Sequence, residues 1–369
     1  MNIAYVLTSD IANFRGSTGK IAGQVEAWRE LGHAVKVFAR TPNLDESPLE
    51  AERFLLTGSF VRDNLSRNRP MVSAIESFKP DVVYFRAGIA NATYNAVASR
   101  FPSVVEINTD DIEETRHLLR TEPSLRAAIR AVYTLFFRGT FLRRLRGAVF
   151  ITQELRERRR FSKYFAESVV VPNSVKLSEE SADILKGTDA FDDPRVHLFF
   201  IGSPGFVWHG QDKLERLANQ LGDEFFIHIV GLSGKDRANL KYYGYQERST
   251  YEAILRKCHI CLGTFALHRK NQDECSTIKF GEYLRAGFPT ILPYKETAVI
   301  GTGRQGFILQ PPNREDLLDV PGVVESIRDF CVRQRLRVVR HQDAAPLIAA
   351  STLEKRRLTF LEDVVRNDP

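Results

Sequence analysis

The sequence predicts an α/β protein built from two doubly wound domains, each with a parallel sheet covered by helices. The chain has 369 residues, enough for two domains of about 100–200 residues each. Short apolar runs alternate with amphipathic helical patterns, as in βαβ units. The alternation stops in a polar stretch at 176–194 and then restarts. We expect domains at 1–176 and 177–345, and a C-terminal helix within 346–369 that packs back on the first domain.

The first domain begins with a buried strand at 2–8 and a glycine-rich loop at 16–19. The helix that follows has its apolar residues at helical spacing on one face: Ile21, Val25, Trp28 and Leu31. Gly32 ends this helix, because glycine accepts the left-handed conformation. Val35 and Val37 alternate with polar residues and mark a second strand. Further strands are predicted at 81–86, 103–108, 147–152 and 169–171, with a helix at 90–100.

The second domain repeats this alternation of strands and helices. Strands are predicted at 196–202, 225–231, 258–265, 289–294 and 306–310, and helices at 212–221 and 277–286. Ligands of doubly wound sheets bind at the carboxyl ends of the strands. Two such domains facing each other would therefore place a binding site in the cleft between them.

The bulk composition narrows the class of protein. A formal net charge of +6 favours anionic partners such as nucleotide phosphates, nucleic acid or anionic lipid. Four cysteines are too few for a disulfide scaffold in a chain of this length. The N-terminus lacks the pattern of a signal peptide, and no apolar run reaches the length of a membrane span. We therefore expect a cytoplasmic protein, with attachment to the inner face of a membrane as a possibility.

One stretch, 116–160, breaks the α/β pattern because arginines are interleaved with large apolar residues. Arg130, Arg138 and Arg143 alternate there with Leu135 and Phe136, among others. A helix of this kind either covers the sheet with its arginines in water or lies on an anionic bilayer. The sequence leaves both interpretations open.

The segment with the strongest chemical signal joins an acidic loop to a helix and a buried strand. It reads Glu274-Cys275-Ser276-Thr277-Ile278-Lys279-Phe280-Gly281-Glu282 and continues to a glycine stop at Gly287. Unpaired amides at the start of this helix, at Ser276, Thr277 and Ile278, form a ready anion site suited to a diphosphate. Glu274 and Glu282 supply carboxylates that accept hydrogen bonds from the hydroxyls of a sugar or a ribose.

This segment resembles the E-x7-E signature of retaining glycosyltransferase family 4. The resemblance implies the GT-B fold, with two doubly wound Rossmann-like domains facing across a cleft, and transfer of a sugar from a nucleotide-sugar donor. It also implies that Glu274 contacts the donor sugar and Glu282 the ribose. The continuation through Pro289 is similar to a family variant often found in bacterial polysaccharide and glycan assembly.

Other segments are similar to the family pattern across roughly residues 1–312. Gly16, Ser17 and Gly19 resemble the glycine-rich loop that faces the donor phosphates. Tyr245 lies in a Tyr-Gly-Tyr segment that resembles the loop whose backbone reads the nucleotide base. Asn108 and Asp110 follow a strand of the first domain, on the side where the family binds acceptors; the alternative for a carboxylate there is a helix cap.

The sequence departs from the family at two cationic positions. Ser203 stands near the position of the usual arginine, and His209 at the position of the usual lysine. A leaving diphosphate needs positive charge or hydrogen-bond donors. His209 is one candidate, with a structural role as the alternative, and the chain offers further cations in Lys279, Arg269, Lys270 and Arg15. The departure leaves open an inactive or unusual enzyme.

The sequence predicts no cofactor and no metal, because a D-x-D pattern is absent. The partners we expect are a UDP- or GDP-sugar donor and a glycan, lipid-linked or small-molecule acceptor; no nucleic-acid motif is present. The catalytic candidates are Glu274, His209 and Lys279. Two rivals remain: a nucleotide-sugar epimerase on the same fold, and an inactive GT-B protein that binds an anionic surface.

Overall fold

The computed structural model describes residues 1–7, 15–42, 49–86, 88, 90–121, 124–177, 184–303 and 305–367, without the side chains of 15–17, 117–118, 121 and 126. The chain divides into two compact units. The first comprises Met1–Lys176 and Ala350–Pro369, and the second comprises Leu177–Ala349. None of the described helices is both long and apolar enough to cross a membrane.

The first unit is a seven-stranded parallel sheet with the order β3-β2-β1-β4-β5-β6-β7. Its strands are β1 (Asn2–Leu7), β2 (Ala34–Thr41), β3 (Glu52–Leu55), β4 (Val82–Arg86), β5 (Ser103–Ile107), β6 (Gly147–Phe150) and β7 (Glu167–Val170). Its helices are α1 (Arg15–Glu30), α2 (Phe60–Leu65), α3 (Arg69–Phe78), α4 (Ala92–Ala98), α5 (Asp111–Thr121), α6 (Leu125–Leu142), α7 (Gln153–Glu157) and α8 (Arg159–Ser162). The order reverses between β1 and β4, as in doubly wound sheets.

The second unit has a six-stranded parallel sheet with the order β10-β9-β8-β11-β13-β15, and a separate parallel pair of β12 and β14. Its strands are β8 (Val196–Ile201), β9 (Phe225–Val230), β10 (Leu240–Tyr242), β11 (Ile260–Leu262), β12 (Glu274–Cys275), β13 (Thr290–Ile291), β14 (Lys295–Glu296) and β15 (Ile308–Leu309). Its helices are α9 (Gln211–Leu221), α10 (Arg248–Leu255), α11 (Ile278–Arg285), α12 (Val323–Gln334) and α13 (His341–Ile348), with 3₁₀ turns at Val207–His209, Leu267–Lys270, Thr297–Val299 and Leu317–Asp319. The predicted α/β class with two doubly wound sheets is confirmed.

Several predicted boundaries are wrong in detail. Gly16 and Gly19 were expected in a loop, but α1 already begins at Arg15. The polar stretch at 176–194 is not simply a linker, because the amides of Leu185 and Lys186 both donate to the carbonyl of Ala286. The buried ammonium of Lys186 also donates to two further carbonyls of the second unit. Apolar runs and glycines fix where an element lies, whereas these tertiary hydrogen bonds decide where it begins and ends.

The last helix, α14 (Ala350–Arg366), belongs to the first unit and carries charge into its core. Glu354 and Arg357, three residues apart, are both fully buried and ion-paired. Glu354 also accepts hydrogen bonds from Trp28 Nε1 at 2.8 Å and Ser174 Oγ at 2.6 Å. Arg357 lies 3.5 Å from Glu106 on β5. Buried charge of this kind is normally paired, because an unpaired charge in the core is costly.

Glu106 is the centre of this network. Lys20 Nζ donates to it at 2.7 Å, Tyr84 Oη at 2.8 Å and Arg86 Nη1 at 3.2 Å. Burial alone would raise the pKa of Glu106, but the cations of Lys20, Arg357 and Arg86 hold it well below its usual range. The network thus joins α1, β4, β5 and α14 through one ionised carboxylate.

Replacing Glu354 with Ala should strongly destabilise the first unit. The substitution leaves Arg357, Trp28 and Ser174 with unmatched donors in the core, a loss of about 3–5 kcal/mol in the free energy of unfolding. Urea denaturation followed by circular dichroism measures this loss. Lys355→Ala, one position along α14 and exposed, is the matched control and should change little. Equal stability of the two variants would contradict the role assigned to the network.

Candidate functional site

The strand order of the second unit reverses between β8 and β11, so a ligand site is expected at the carboxyl ends of these strands. Two glycines at these strand ends, Gly202 and Gly231, allow a close backbone approach. Gly231 follows β9 with φ +84°, and a Cβ atom on it would lie only 1.9 Å from the carbonyl oxygen of Gly202, which follows β8. Only glycine fits such an approach. The ends of β8 and β9 are therefore packed backbone to backbone.

A turn after β8 brings Ser203 and His209 together. The backbone N–H of Ser203 donates to His209 Nε2 at 3.2 Å. The turn is fixed against the loop after β11, because Phe265 N donates to the carbonyl of His209 at 3.1 Å and Ala266 N to that of Trp208 at 3.0 Å. The two segments at the switch point thus form one rigid layer.

The contact with Ser203 determines the tautomer of His209. Since Nε2 accepts a hydrogen bond, the proton of a neutral ring lies on Nδ1. Burial, with a smaller contribution from the charge of Lys279, lowers the pKa of His209 to about 2. Nδ1 is itself buried and meets no acceptor among the described residues. His209 is therefore a neutral hydrogen-bond donor without an acceptor.

Helix α11 begins beside this layer and is capped by Thr277. The hydroxyl of Thr277 accepts from the amide of Phe280 at 3.3 Å, and its own amide donates to Glu296 at 3.4 Å. The amides of Ile278 and Lys279 donate to no acceptor in the described part of the chain. Two N–H groups of the first turn are thus available, at the end of the helix where its dipole favours an anion.

Lys279, in the first turn of α11, is the most unusual group of the site. Its Nζ is shielded from water and has no hydrogen-bond partner within the described ranges. The ammonium lies 4.4 Å from the ring centre of Phe200. Burial lowers the pKa of Lys279 to about 7, and the neighbouring Cys275 thiol raises it only in part. A buried cation normally has a counter-ion, so the ammonium of this lysine is suited to bind an anion.

The two glutamates of the signature are in different environments. Glu274 is buried in β12 and accepts from Thr297 Oγ1 at 2.8 Å. Glu282 lies in the middle of α11 with 42% of its side chain exposed, and it pairs with Arg285 at 2.5 Å. Glu282 is thus open to a ligand, whereas Glu274 is held in a fixed orientation. Ser276, between them, is buried.

Two other residues that the sequence predicts to bind the nucleotide-sugar donor, Tyr245 and Arg269, also lie in the second unit. Tyr245 is largely exposed, directly after Gly244, whose carbonyl accepts from the amide of Gly231 at 2.7 Å. Arg269 is ion-paired with Asp212 at 2.7 Å and with Glu315 at 2.5 Å. Its charge is already balanced by two carboxylates, unlike that of Lys279.

The remaining predicted residues lie in the first unit. Gly19 is exposed in α1 with open space around its Cα; of Gly16 and Ser17 only the backbone is described, and the side chain of Arg15 lies outside the described residues. Asn108 accepts from Lys20 Nζ at 3.3 Å, while its Nδ2 is buried without an acceptor in the region described.

Asp110 is a helix cap and a partner of arginines. It is fully buried, and its Oδ1 accepts from the amide of Glu113 at 3.2 Å in the first turn of α5. Its two oxygens also pair with Arg158 at 2.5 Å and Arg160 at 3.0 Å. An acceptor that binds Asp110 would have to displace one of these arginines.

Sequence reasoning missed Glu296 and Thr297. β14 pairs with β12, with Cys275 opposite Glu296. Glu296 and Thr297 therefore lie directly beside the segment that carries Glu274. Burial raises the pKa of Glu296 well above its usual range. The available signal was the polar run Lys295-Glu296-Thr297, which lies a few residues after the buried strand β13, near the position where doubly wound sheets carry site residues.

The part of the chain that the structure describes contains no cluster of histidine, cysteine and carboxylate groups arranged for a metal ion. Cys258, Cys261 and Cys331 are buried free thiols, and Cys275 is partly buried.

Solved structures identify the fold. Sucrose-phosphate synthase from Thermosynechococcus elongatus aligns over 99% of this chain and 100% of its own with a TM-score of 0.66 at 12% identity. A glycosyltransferase from Rickettsia africae aligns over 100% and 99% with a TM-score of 0.63 at 12% identity. An alpha-glucosyltransferase solved with UDP-glucose and DNA containing an abasic site aligns over 100% of both chains with a TM-score of 0.60 at 10% identity.

These similar structures are GT-B glycosyltransferases, and the chain has their fold. No protein-family model matches the sequence, and no curated protein matches it. The similarity therefore identifies an architecture that covers the whole chain.

Lys279→Met should stabilise the ligand-free protein at neutral pH. Between pH 7 and the usual lysine value of 10.5, the unfolded chain binds a proton that the folded chain does not, so wild-type stability rises with pH across this window. The melting temperature of the variant should exceed that of wild type most below pH 7, and the difference should shrink towards pH 10. Differential scanning calorimetry at several pH values measures it. The exposed Lys235→Met should show no such trend; the same trend in both variants would contradict the assignment.

Proposed function

We propose that this chain is a glycosyltransferase that moves a sugar from a nucleotide-sugar donor to an acceptor, with retention and without a metal ion. The observation that carries the proposal is the pair of buried donors, Lys279 Nζ and His209 Nδ1, which meet no acceptor within the described residues. His209 belongs to the turn after β8 at the switch point of the second sheet, and Lys279 lies in the first turn of α11 with its ammonium 4.4 Å from the ring centre of Phe200 on β8. A diphosphate supplies the missing acceptors.

The free amides of Ile278 and Lys279 extend this anion site. Negative charge at the amino end of a helix is stabilised by the helix dipole, and a diphosphate held there would leave with its charge compensated. This arrangement replaces the arginine and lysine that the sequence lacks at Ser203 and His209. His209 acts in it as a neutral donor oriented by the amide of Ser203, and Lys279 as the cation.

The glutamates define the two ends of the donor. Glu274, oriented by the hydroxyl of Thr297, would accept hydrogen bonds from sugar hydroxyls. Glu282 is half-exposed. On donor binding, its carboxylate would release Arg285 and accept hydrogen bonds from the hydroxyls of a ribose. Tyr245 and the backbone at Gly231 and Gly244 form the base end. The UDP-glucose bound by the similar alpha-glucosyltransferase favours a UDP-sugar as the first donor to test, with a GDP-sugar next.

The acceptor belongs to the first unit in this proposal. Asn108 has a buried amide nitrogen that meets no acceptor in the described part of the first unit, which suits a hydroxyl of a glycan or lipid-linked acceptor. Asp110 is less suitable because its oxygens are occupied by Arg158 and Arg160. The glycine-rich start of α1 would face the donor phosphates, as the family pattern implies.

A nucleotide diphosphate should raise the melting temperature of the protein, and Glu282→Ala should remove most of that shift. A panel of UDP, GDP, ADP and CMP derivatives in a thermal-shift assay identifies the base, since a ligand at a hundredfold excess over its dissociation constant stabilises a fold by about 2.7 kcal/mol. Glu325→Ala, on the exposed face of α12, is the control. An unchanged shift in Glu282→Ala would refute the ribose assignment.

Lys279→Met should weaken binding of the diphosphate about ten- to a hundredfold, because it removes a charged hydrogen-bond donor. The nucleoside without phosphates should lose nothing. Isothermal titration of both ligands gives the comparison, and Lys235→Met is again the control. Equal losses for nucleoside and diphosphate would place Lys279 away from the phosphates.

Incubating the identified donor with and without acceptors separates the proposed activity from its rivals. A transferase forms a glycoside only when an acceptor is present, and NMR of its anomeric centre should show the configuration of the donor. Glu274→Gln should lower the rate about a hundredfold or more while the thermal shift persists. Isomerised donor in the absence of acceptor would indicate an epimerase, and binding without any conversion would indicate an inactive GT-B protein.

A further inference from the structure

Helix α6 in the first unit has one face in the core and a second apolar face in water. Phe141 and Leu142 belong to the hydrophobic core beneath the helix. On the other side, Leu125 is 79% exposed, Leu135 68% and Phe136 75%. Large apolar groups scattered singly on a surface need no explanation, but a contiguous set of them marks an interaction site.

The exposed apolar surface continues onto α2. The ring of Phe60 packs edge-on against Tyr133 of α6, with ring centres 5.8 Å apart, and Val61 and Leu65 are about half exposed. A shallow hollow of about 350 Å³ opens between the two helices, lined by Ser59, Phe60, Val61, Leu125 and Ile129. We call the surface formed by Val61, Leu65, Leu125, Ile129, Leu135 and Phe136 the α2–α6 patch.

The charge around this patch has one sign. Helix α6 contains no Asp or Glu, and the nearest carboxylates are engaged: Asp111 pairs with Arg138 at 2.6 Å, and Glu113 with Arg116 at 2.8 Å. Asp63 of α2 is buried and faces Arg40. Exposed arginines belong to α2 and the residues just after it, and to the carboxyl end of α6 and the residues just after it; they are Arg62, Arg67, Arg69, Arg143, Arg144 and Arg146.

The position of Arg143 shows how the two features combine. It follows Phe136 by seven residues, or about two helical turns, so it stands on the same side of the helix as the apolar row. On a bilayer, the guanidinium of such an arginine can reach the lipid phosphate groups while the apolar side chains of the helix enter the acyl-chain region.

We propose that the α2–α6 patch binds the surface of an anionic phospholipid bilayer. A second copy of this chain is a poorer occupant, because a two-fold contact would bring arginines against arginines. A bilayer with anionic headgroups supplies the missing negative charge and the apolar depth together. The proposal does not depend on the sugar-transfer activity, and its test measures no transfer.

Co-sedimentation with vesicles tests the proposal. The wild-type chain should pellet with vesicles of phosphatidylcholine mixed with phosphatidylglycerol and remain in solution with phosphatidylcholine alone. Leu135→Ser with Phe136→Ser should weaken binding about tenfold or more. Arg62→Gln with Arg143→Gln should weaken it about fivefold for each arginine, and added salt should do the same to wild type.

Val332→Ser with Leu336→Ser is the matched control, because these residues of the second unit are equally exposed and lie outside the patch. It should bind like wild type. All variants alter exposed groups, and circular dichroism and melting temperature verify that they fold.

Three results would overturn the proposal. In the first, the wild-type chain stays in solution with anionic vesicles. In the second, the patch variants and the control variant bind the vesicles equally. In the third, the wild-type chain self-associates without lipid and the patch variant does not. The last result would assign the patch to a second copy of the chain.

Discussion

The candidate site depends on an ammonium group that is held out of water without a counter-ion. Removing a cation from water costs several kcal/mol unless a partner compensates it, and at Lys279 the ring of Phe200 lies 4.4 Å from the ammonium, with no hydrogen-bond partner among the described residues. The same element offers two free amides, and the neighbouring turn offers His209 Nδ1–H. Among the described residues these donors have no acceptor, and an anion such as the phosphates of the proposed donor would supply acceptors to all of them.

The first unit shows that this condition is not general to the chain. Its buried charges are paired: Lys20 and Arg86 with Glu106, and Arg357 with Glu354. There the burial of charge joins α14 to the sheet and serves the stability of the unit. Among the described residues, the pairs around Glu106 and Glu354 stabilise the first unit, whereas Lys279 in the second unit has no hydrogen-bond partner, and this difference supports the proposal that Lys279 binds an anion.

The architecture could be predicted from the sequence because alternating apolar runs and amphipathic helices determine doubly wound sheets. The Glu274–Glu282 segment could be predicted because its loop, cap and helix are contiguous. Glu296, Thr297 and the tautomer of His209 could not, because each depends on a contact between segments distant in sequence. The ambiguity of 116–160 had a physical origin as well: α6 is apolar on two faces, and a sequence pattern cannot tell which face meets the sheet.

A lysine whose pKa burial lowers to about 7 also differs in kind from the arginine that glycosyltransferase family 4, which the sequence resembles, places after the first strand of the second domain. Arginine stays charged whatever it faces, whereas such a lysine titrates near neutral pH. A bound diphosphate favours the charged form, since an opposite charge nearby raises the pKa of a lysine. In the proposed function, a leaving diphosphate would thus favour the charged form of Lys279 as its own charge increases. The site would obtain this electrostatic stabilisation without burying a permanent charge.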